Sequence, residues 1–191
     1  MNDFLFYLQL GWEHIISIDA LDHQLFVLVL VLAYGLKDLK KILILVTAFT
    51  VGHSLTLALS VLDVLRVPSS WVEFLIPLTI VLTALENILF RKNSKQLRSS
   101  HYILALFFGL IHGMGFANTI RMTLSSEQSI GMPLFGFNVG LELGQIVVVA
   151  LFLGLSALVT QLFKVPKKDW QLFIASGVFF LAMQMTLERI P

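Results

Sequence analysis

Six long apolar segments set the strongest limit on what this chain can fold into. A helix that crosses a bilayer needs about 20 apolar residues, so each segment is predicted to be a transmembrane helix. The composition agrees, because 57% of the 191 residues are hydrophobic and only 13% are charged, against about 25% charged in soluble domains. We therefore predict a single-domain, all-α transmembrane bundle of six or seven helices. The predicted spans are residues 20–36, 40–62, 71–90, 101–124, 132–163 and 170–188.

A seventh apolar segment, residues 3–18, is of marginal length, and it either crosses the membrane or dips in and returns. Basic residues concentrate in alternate connections, which the positive-inside rule assigns to the cytoplasm. We expect an integral protein of the bacterial cytoplasmic membrane, with these connections inside and the C-terminus outside. They carry 10 of the 13 basic residues: Lys37, Lys40, Lys41, Arg91, Lys92, Lys95, Arg98, Lys164, Lys167 and Lys168.

Histidine and acidic residues inside or beside the apolar segments are the candidate functional residues. Placing an aspartate at the centre of a bilayer costs about 2.5–3.5 kcal/mol, so such residues are functional candidates by default. The predicted topology puts most of them in the outer half of the membrane, where no lysine or arginine lies apart from boundary residues. A bound metal ion or a proton would supply the missing positive charge. The predicted metal ligands are His14, Asp19, Asp22, His23, His53, His112 and Glu142.

The residue types also limit which ion could bind. The chain contains no cysteine, so only imidazole and oxygen ligands are available. Such a set suits nickel, zinc, cobalt, copper or iron better than magnesium or calcium, which prefer oxygen ligands alone. Asp22 and His23 are adjacent, and the pair could supply one ligand and the residue that orients it. The sequence has no basic tail, so no nucleic-acid partner is expected.

The segment LFGFNVGLELGQ, residues 134–145, carries two helical patterns. Asn138, Glu142 and Gln145 share one face, and we predict that Asn138 and Gln145, together with Ser54 of the second span, line a transport path. A neighbouring face consists of glycines, which allow helices to approach closely in lipid and could also join copies of the chain into an oligomer. These glycines are Gly136, Gly140 and Gly144.

Four stretches between about residues 11 and 150 resemble the HupE/UreJ family of membrane proteins. They are HIISIDALDHQLF, TAFTVGHSLTL, FGLIHGMGFA and GFNVGLELGQ, in the order found in the family. The resemblance implies a multi-helix inner-membrane protein that moves nickel, or a related divalent metal, for the maturation of metalloenzymes. The family's motif positions correspond to His14, Asp22, His23, His53, His112, Asn138, Glu142 and Gln145.

The leading hypothesis is therefore a permease for a divalent transition metal, with nickel as the first choice. A membrane-embedded zinc hydrolase is the alternative, because three histidines and an aspartate could hold zinc with one position open for an activated water. In that case Ser54 or Asp22 would assist. A third reading is an accessory membrane protein that binds metal without translocating it.

Overall fold

A computed structural model describes residues 3–89, 97–123 and 130–191, and in these residues the chain is helical without strands. The all-α prediction is confirmed. The basic loop at 91–96 and most of the predicted connection at 125–131 lie outside the described residues. The helices are α1 (Asp3–Ile16), α2 (Leu21–Val31), α3 (Leu39–Val61), α4 (Ser69–Leu89), α5 (Leu97–Gly115), α6 (Ala117–Thr123), α7 (Gly131–Ala157) and α8 (Lys167–Glu188).

Four of these helices are long and apolar enough to cross a membrane. They are α3, α4, α7 and α8, and each begins and ends within a few residues of a predicted span. A π-helical turn, Leu158–Leu162, extends α7, which explains why the apolar segment at 132–163 is so long. Continuous apolar sequence was sufficient to locate these four helices.

The predicted span at residues 20–36 is wrong, because α2 has only 11 residues. At 1.5 Å per residue it is about 16 Å long, roughly half of the hydrocarbon core. It forms a bent pair with α1, at an angle of 65°. The side-chain amide of Gln24 donates to the backbone oxygens of Ile15 and Ser17, both at 2.9 Å. The first bond satisfies a carbonyl at the end of α1, and the carbonyl of Ser17 also accepts the backbone N–H of Ala20 at 3.1 Å, which makes a break tolerable in an apolar environment.

Two helix pairs, α1 with α7 and α3 with α5, pack backbone to backbone through glycines. In the first pair, a Cβ on Gly140 would overlap the backbone oxygen of Leu8. In the second pair, a Cβ on Gly109 would overlap the backbone oxygen of Phe49. Only glycine fits at such contacts, as expected where small residues let helices approach in lipid.

The glycine face of α7 is filled by α1 of the same chain. Gly136, Gly140 and Gly144 meet Phe4, Leu8 and Trp12 in that order, so α1 and α7 run in the same direction. Oligomerisation stays an untested prediction, and it would need a surface other than this one.

The direction of α1 shows how residues 3–18 run through the helix bundle. Helices α3 and α7 run in opposite directions, because His53 lies beside Phe137 while Thr50, earlier in α3, bonds to Gln145, later in α7. Helix α1, parallel to α7, therefore enters on the side where α3 ends. Helix α2 leads to the start of α3 on the other side, so α1 and α2 together run from one end of the bundle to the other, and this broken passage is called the first crossing below.

The predicted span at residues 101–124 is also interrupted. Helix α5 ends at Gly115 and α6 begins at Ala117. Phe116, between them, packs its ring 4.1 Å from that of His14 and 4.9 Å from that of Phe137, measured between centroids. The break thus turns an aromatic ring over one of the predicted metal ligands.

Candidate metal centre

Three of the predicted ligands converge where the first crossing breaks. His14 comes from the last turn of α1, His23 from the first turn of α2, and His53 from α3. One potential ligand atom from each lies within 4.8 Å of the other two. In a straight helix, residues nine apart point to opposite faces about 13.5 Å apart along the axis. The bend is what brings His14 and His23 together, with ring centroids 4.6 Å apart.

Each histidine of this triad has a buried ring nitrogen that lacks a hydrogen-bond partner among the described residues. The buried, unpaired atoms are Nε2 of His14, Nε2 of His23 and both ring nitrogens of His53. A buried polar atom left unpaired costs about 1–3 kcal/mol. Three imidazoles with ligand atoms this close fit a shared cation, because a metal ion would pair with one nitrogen of each.

Asp22 orients one member of the triad. Its Oδ1 lies 2.9 Å from Nδ1 of His23 and also accepts the backbone N–H of His23 at 2.8 Å. A carboxylate at this position favours the tautomer with the proton on Nδ1, which leaves the lone pair of Nε2 free for a metal. Asp22 therefore acts on the centre through His23 and is not a member of the triad.

The other predicted ligands lie near the triad but outside it. The ring of His112 is 4.8 Å from that of His23, and its Nε2 is 3.3 Å from the hydroxyl oxygen of Thr79. Asp19 is exposed in the 3-10 turn between α1 and α2. Neither His112 nor Asp19 contributes an atom to the group of ligand atoms that lie within 4.8 Å of one another.

A cavity of about 510 Å³ leads from exposed acidic residues to the histidines. Glu13, Asp19 and Glu73 lie at its exposed part, and His14 and His23 line its buried part. His53 is fully buried and is not among the lining residues. A cleft lined by negative charge concentrates cations, so the cavity suits the approach of a metal ion to the triad.

A polar stripe on α7, formed by Asn138, Glu142 and Gln145, continues beyond the triad. Thr50 donates to Oε1 of Gln145 at 2.9 Å, and Thr47 donates to Oε1 of Glu142 at 2.6 Å. These threonines precede His53 by one and two turns of α3, so the stripe leads away from the end of α3. Gln145 is fully buried, whereas Glu142 is half-buried and lies outside the triad.

Two more members of the predicted path lie close to this stripe. Ser54 donates its hydroxyl proton to the backbone oxygen of Thr50 at 2.6 Å, so this proton is already engaged in a hydrogen bond. Oδ1 of Asn138 is buried without a hydrogen-bond partner in the described part of the chain. Asn138 follows Phe137, whose ring stacks on that of His53 at 6.0 Å.

Sequence reasoning missed three residues at this centre. Phe116 covers His14, Thr79 contacts His112, and Arg189 lines the cavity with its Nη1 3.7 Å from Oδ2 of Asp22. Gly113 and Gly115, just before Phe116, were the one signal available for a local break. Nothing in the sequence relates Arg189, after the last helix, to Asp22 in the first crossing.

The apolar helices and the buried imidazoles define an integral membrane helix bundle with a histidine cluster compatible with metal binding. The family model described as HupE / UreJ protein matches residues 1–188, and the chain belongs to this family. No curated protein and no solved structure matches the chain.

Proposed function

We propose that the protein is a permease for a divalent transition-metal ion, with nickel the first candidate. The observation that carries the proposal is the histidine triad, whose unpaired nitrogens lie at the buried end of an acidic cavity. Neutral imidazole is a good ligand for nickel, cobalt, copper and zinc. Membership of the HupE/UreJ family agrees with this assignment.

The ion would enter through the cavity and bind first between His14 and His23, with His53 completing the capture. From there the polar stripe offers oxygen ligands at successive turns of α7, in the order Asn138, Glu142, Gln145. The cavity lies on the side where α3 and α8 end. If the basic loops are cytoplasmic, as the positive-inside rule predicts, the cavity faces outward and the protein imports metal.

The test is uptake into liposomes that contain the purified protein. Nickel, cobalt, zinc, copper and iron are offered separately, and the metal trapped inside is measured after external metal is removed. Uptake above that of empty liposomes is expected for at least nickel or cobalt, and His14→Ala should reduce it to the background. No uptake of any of the five ions would contradict the proposal.

A zinc hydrolase is the second candidate, because three histidines beside an open cavity also resemble a catalytic zinc centre. The residues first considered to assist are both engaged, Asp22 with His23 and Ser54 with the backbone of Thr50. Zinc-loaded protein would be incubated with lipid esters and amides. Turnover that His23→Ala abolishes, without metal uptake, would favour hydrolysis. Stoichiometric binding with neither activity would favour an accessory role.

A further inference from the structure

The two carboxylate oxygens of Asp22 face different partners. Oδ1 holds Nδ1 of His23 at 2.9 Å, and Oδ2 lies 3.7 Å from Nη1 of Arg189. Arg189 directly follows the last residue of α8, and its side chain is 35% exposed, whereas that of Asp22 is 15% exposed. A continuous chain of contacts therefore runs from the guanidinium through the carboxylate to one imidazole of the triad.

Arg189 places a positive charge in a cavity that is otherwise lined by several carboxylates. The carboxylates that line the same cavity are Asp22, Glu13, Asp19 and Glu73, and Arg189 is the one lysine or arginine among its described lining residues. A divalent ion that enters is thus attracted by the acids and repelled by Arg189. Because Arg189 follows the helix end and is partly exposed, its side chain has room to withdraw.

We propose that Arg189 is a tethered counter-cation that pairs with Asp22 in the metal-free protein and sets how tightly the triad holds its ion. This inference rests on the proposed metal site. The guanidinium stabilises the charge of Asp22 until the ion arrives, and then it competes with that ion electrostatically. A competing charge tethered beside the site keeps metal binding weak enough for the ion to be released, which a transporter requires.

An ordinary structural ion pair predicts a change of the opposite sign. If Arg189 only braced Asp22 against α8, removing it would leave a partly buried carboxylate unpaired. His23 would then lose its fixed orientation, and metal binding would weaken. As a competing cation, Arg189 predicts that its neutralisation strengthens binding, so the sign of the change separates the two roles.

The experiment measures nickel and cobalt affinity of the full-length protein in detergent, by calorimetry, together with uptake into liposomes. Arg189→Gln removes the charge and Arg189→Lys retains it. Arg66→Gln is the matched control, because Arg66 also pairs with an aspartate, Asp63, but in the exposed connection between α3 and α4. Neither Arg189 nor Arg66 lies within a helix, so the variants should fold.

Arg189→Gln should bind the ion about tenfold more tightly, the order expected when a unit charge no longer repels a divalent ion in a partly hydrated site. Its uptake at saturating metal should fall, since release becomes slower. Arg189→Lys and Arg66→Gln should match the wild type. Equal or weaker binding by Arg189→Gln, with the wild type binding normally, would overturn this inference alone. No metal on either the wild type or Arg189→Gln would overturn the metal site as well.

Discussion

The histidine triad and the polar stripe of α7 contain similar residue types but differ in how their polar atoms are paired. In the triad, His14, His23 and His53 each have a buried ring nitrogen that is unpaired in the described chain. In the stripe, the carbonyl or carboxylate oxygens of Gln145 and Glu142 accept hydrogen bonds from threonines of α3. The triad therefore groups several unpaired imidazole nitrogens, whereas the stripe has two of its oxygens paired and leaves Oδ1 of Asn138 and Nε2 of Gln145 without a partner in the described chain.

This difference separates a capture site from the residues beyond it. Unpaired buried nitrogens carry a desolvation penalty that a bound ion would remove, so the triad should dominate affinity. Oxygens already held by hydroxyl groups gain less from an ion, so the stripe should affect passage more than capture. Three substitutions test this division, in decreasing order of their expected effect on affinity.

His53→Ala should have the largest effect, since it removes the fully buried member of the triad. We expect nickel or cobalt affinity to fall more than about 100-fold, beyond the 10- to 100-fold range typical of residues that only support a ligand. Calorimetry on the purified protein measures this. His101→Ala is the matched control, because His101 lies away from the triad beside Tyr34 and Glu86. Equal loss in both variants would contradict a site at the triad.

Asp22→Asn should have an intermediate effect. The change removes the negative charge that fixes the tautomer of His23, and we expect affinity to fall about 10- to 100-fold. The same titration measures it, and Asp63→Asn, at the exposed Arg66 pair, should leave affinity unchanged. Wild-type affinity in Asp22→Asn would show that His23 needs no carboxylate partner.

Glu142→Gln should have the smallest effect on affinity. The amide oxygen can still accept the bond from Thr47, and the residue lies outside the triad, so binding should change by less than about threefold. Uptake into liposomes should nevertheless decrease, because a charged oxygen is removed from the path. Should Glu142→Gln abolish binding as His53→Ala does, the triad and the stripe would form one site and the comparison would fail.

The sequence predicted the continuous helices well and the broken ones poorly. Helices α3, α4, α7 and α8 are long apolar segments, and the hydropathy along the sequence is enough to locate them. The break between α1 and α2 depends on Gln24 capping the end of α1, a tertiary contact that hydropathy does not register. The break at Phe116 depends likewise on packing against His14 and Phe137.

For the candidate site, residue type predicted the candidates but not their arrangement. His14, His23 and His53 were named with four other residues of comparable polarity and depth. What distinguishes them is that a ligand atom of each lies within 4.8 Å of the other two, and this depends on the 65° bend between α1 and α2. The pairing of Arg189 with Asp22 joins residues near opposite ends of the chain, which no local pattern can predict.

The parallel contact between α1 and α7 has a consequence for biosynthesis. Helix α1 is translated before α7, and the glycine face that it packs against is complete only when Gly144 has been added. At a translation rate of roughly 5–20 residues per second, α7 is completed on the order of ten seconds after α1. It has 14 residues, too few to span the bilayer alone. His14 should therefore reach its final position late, and a nascent chain should be unable to trap metal before α7 is in place.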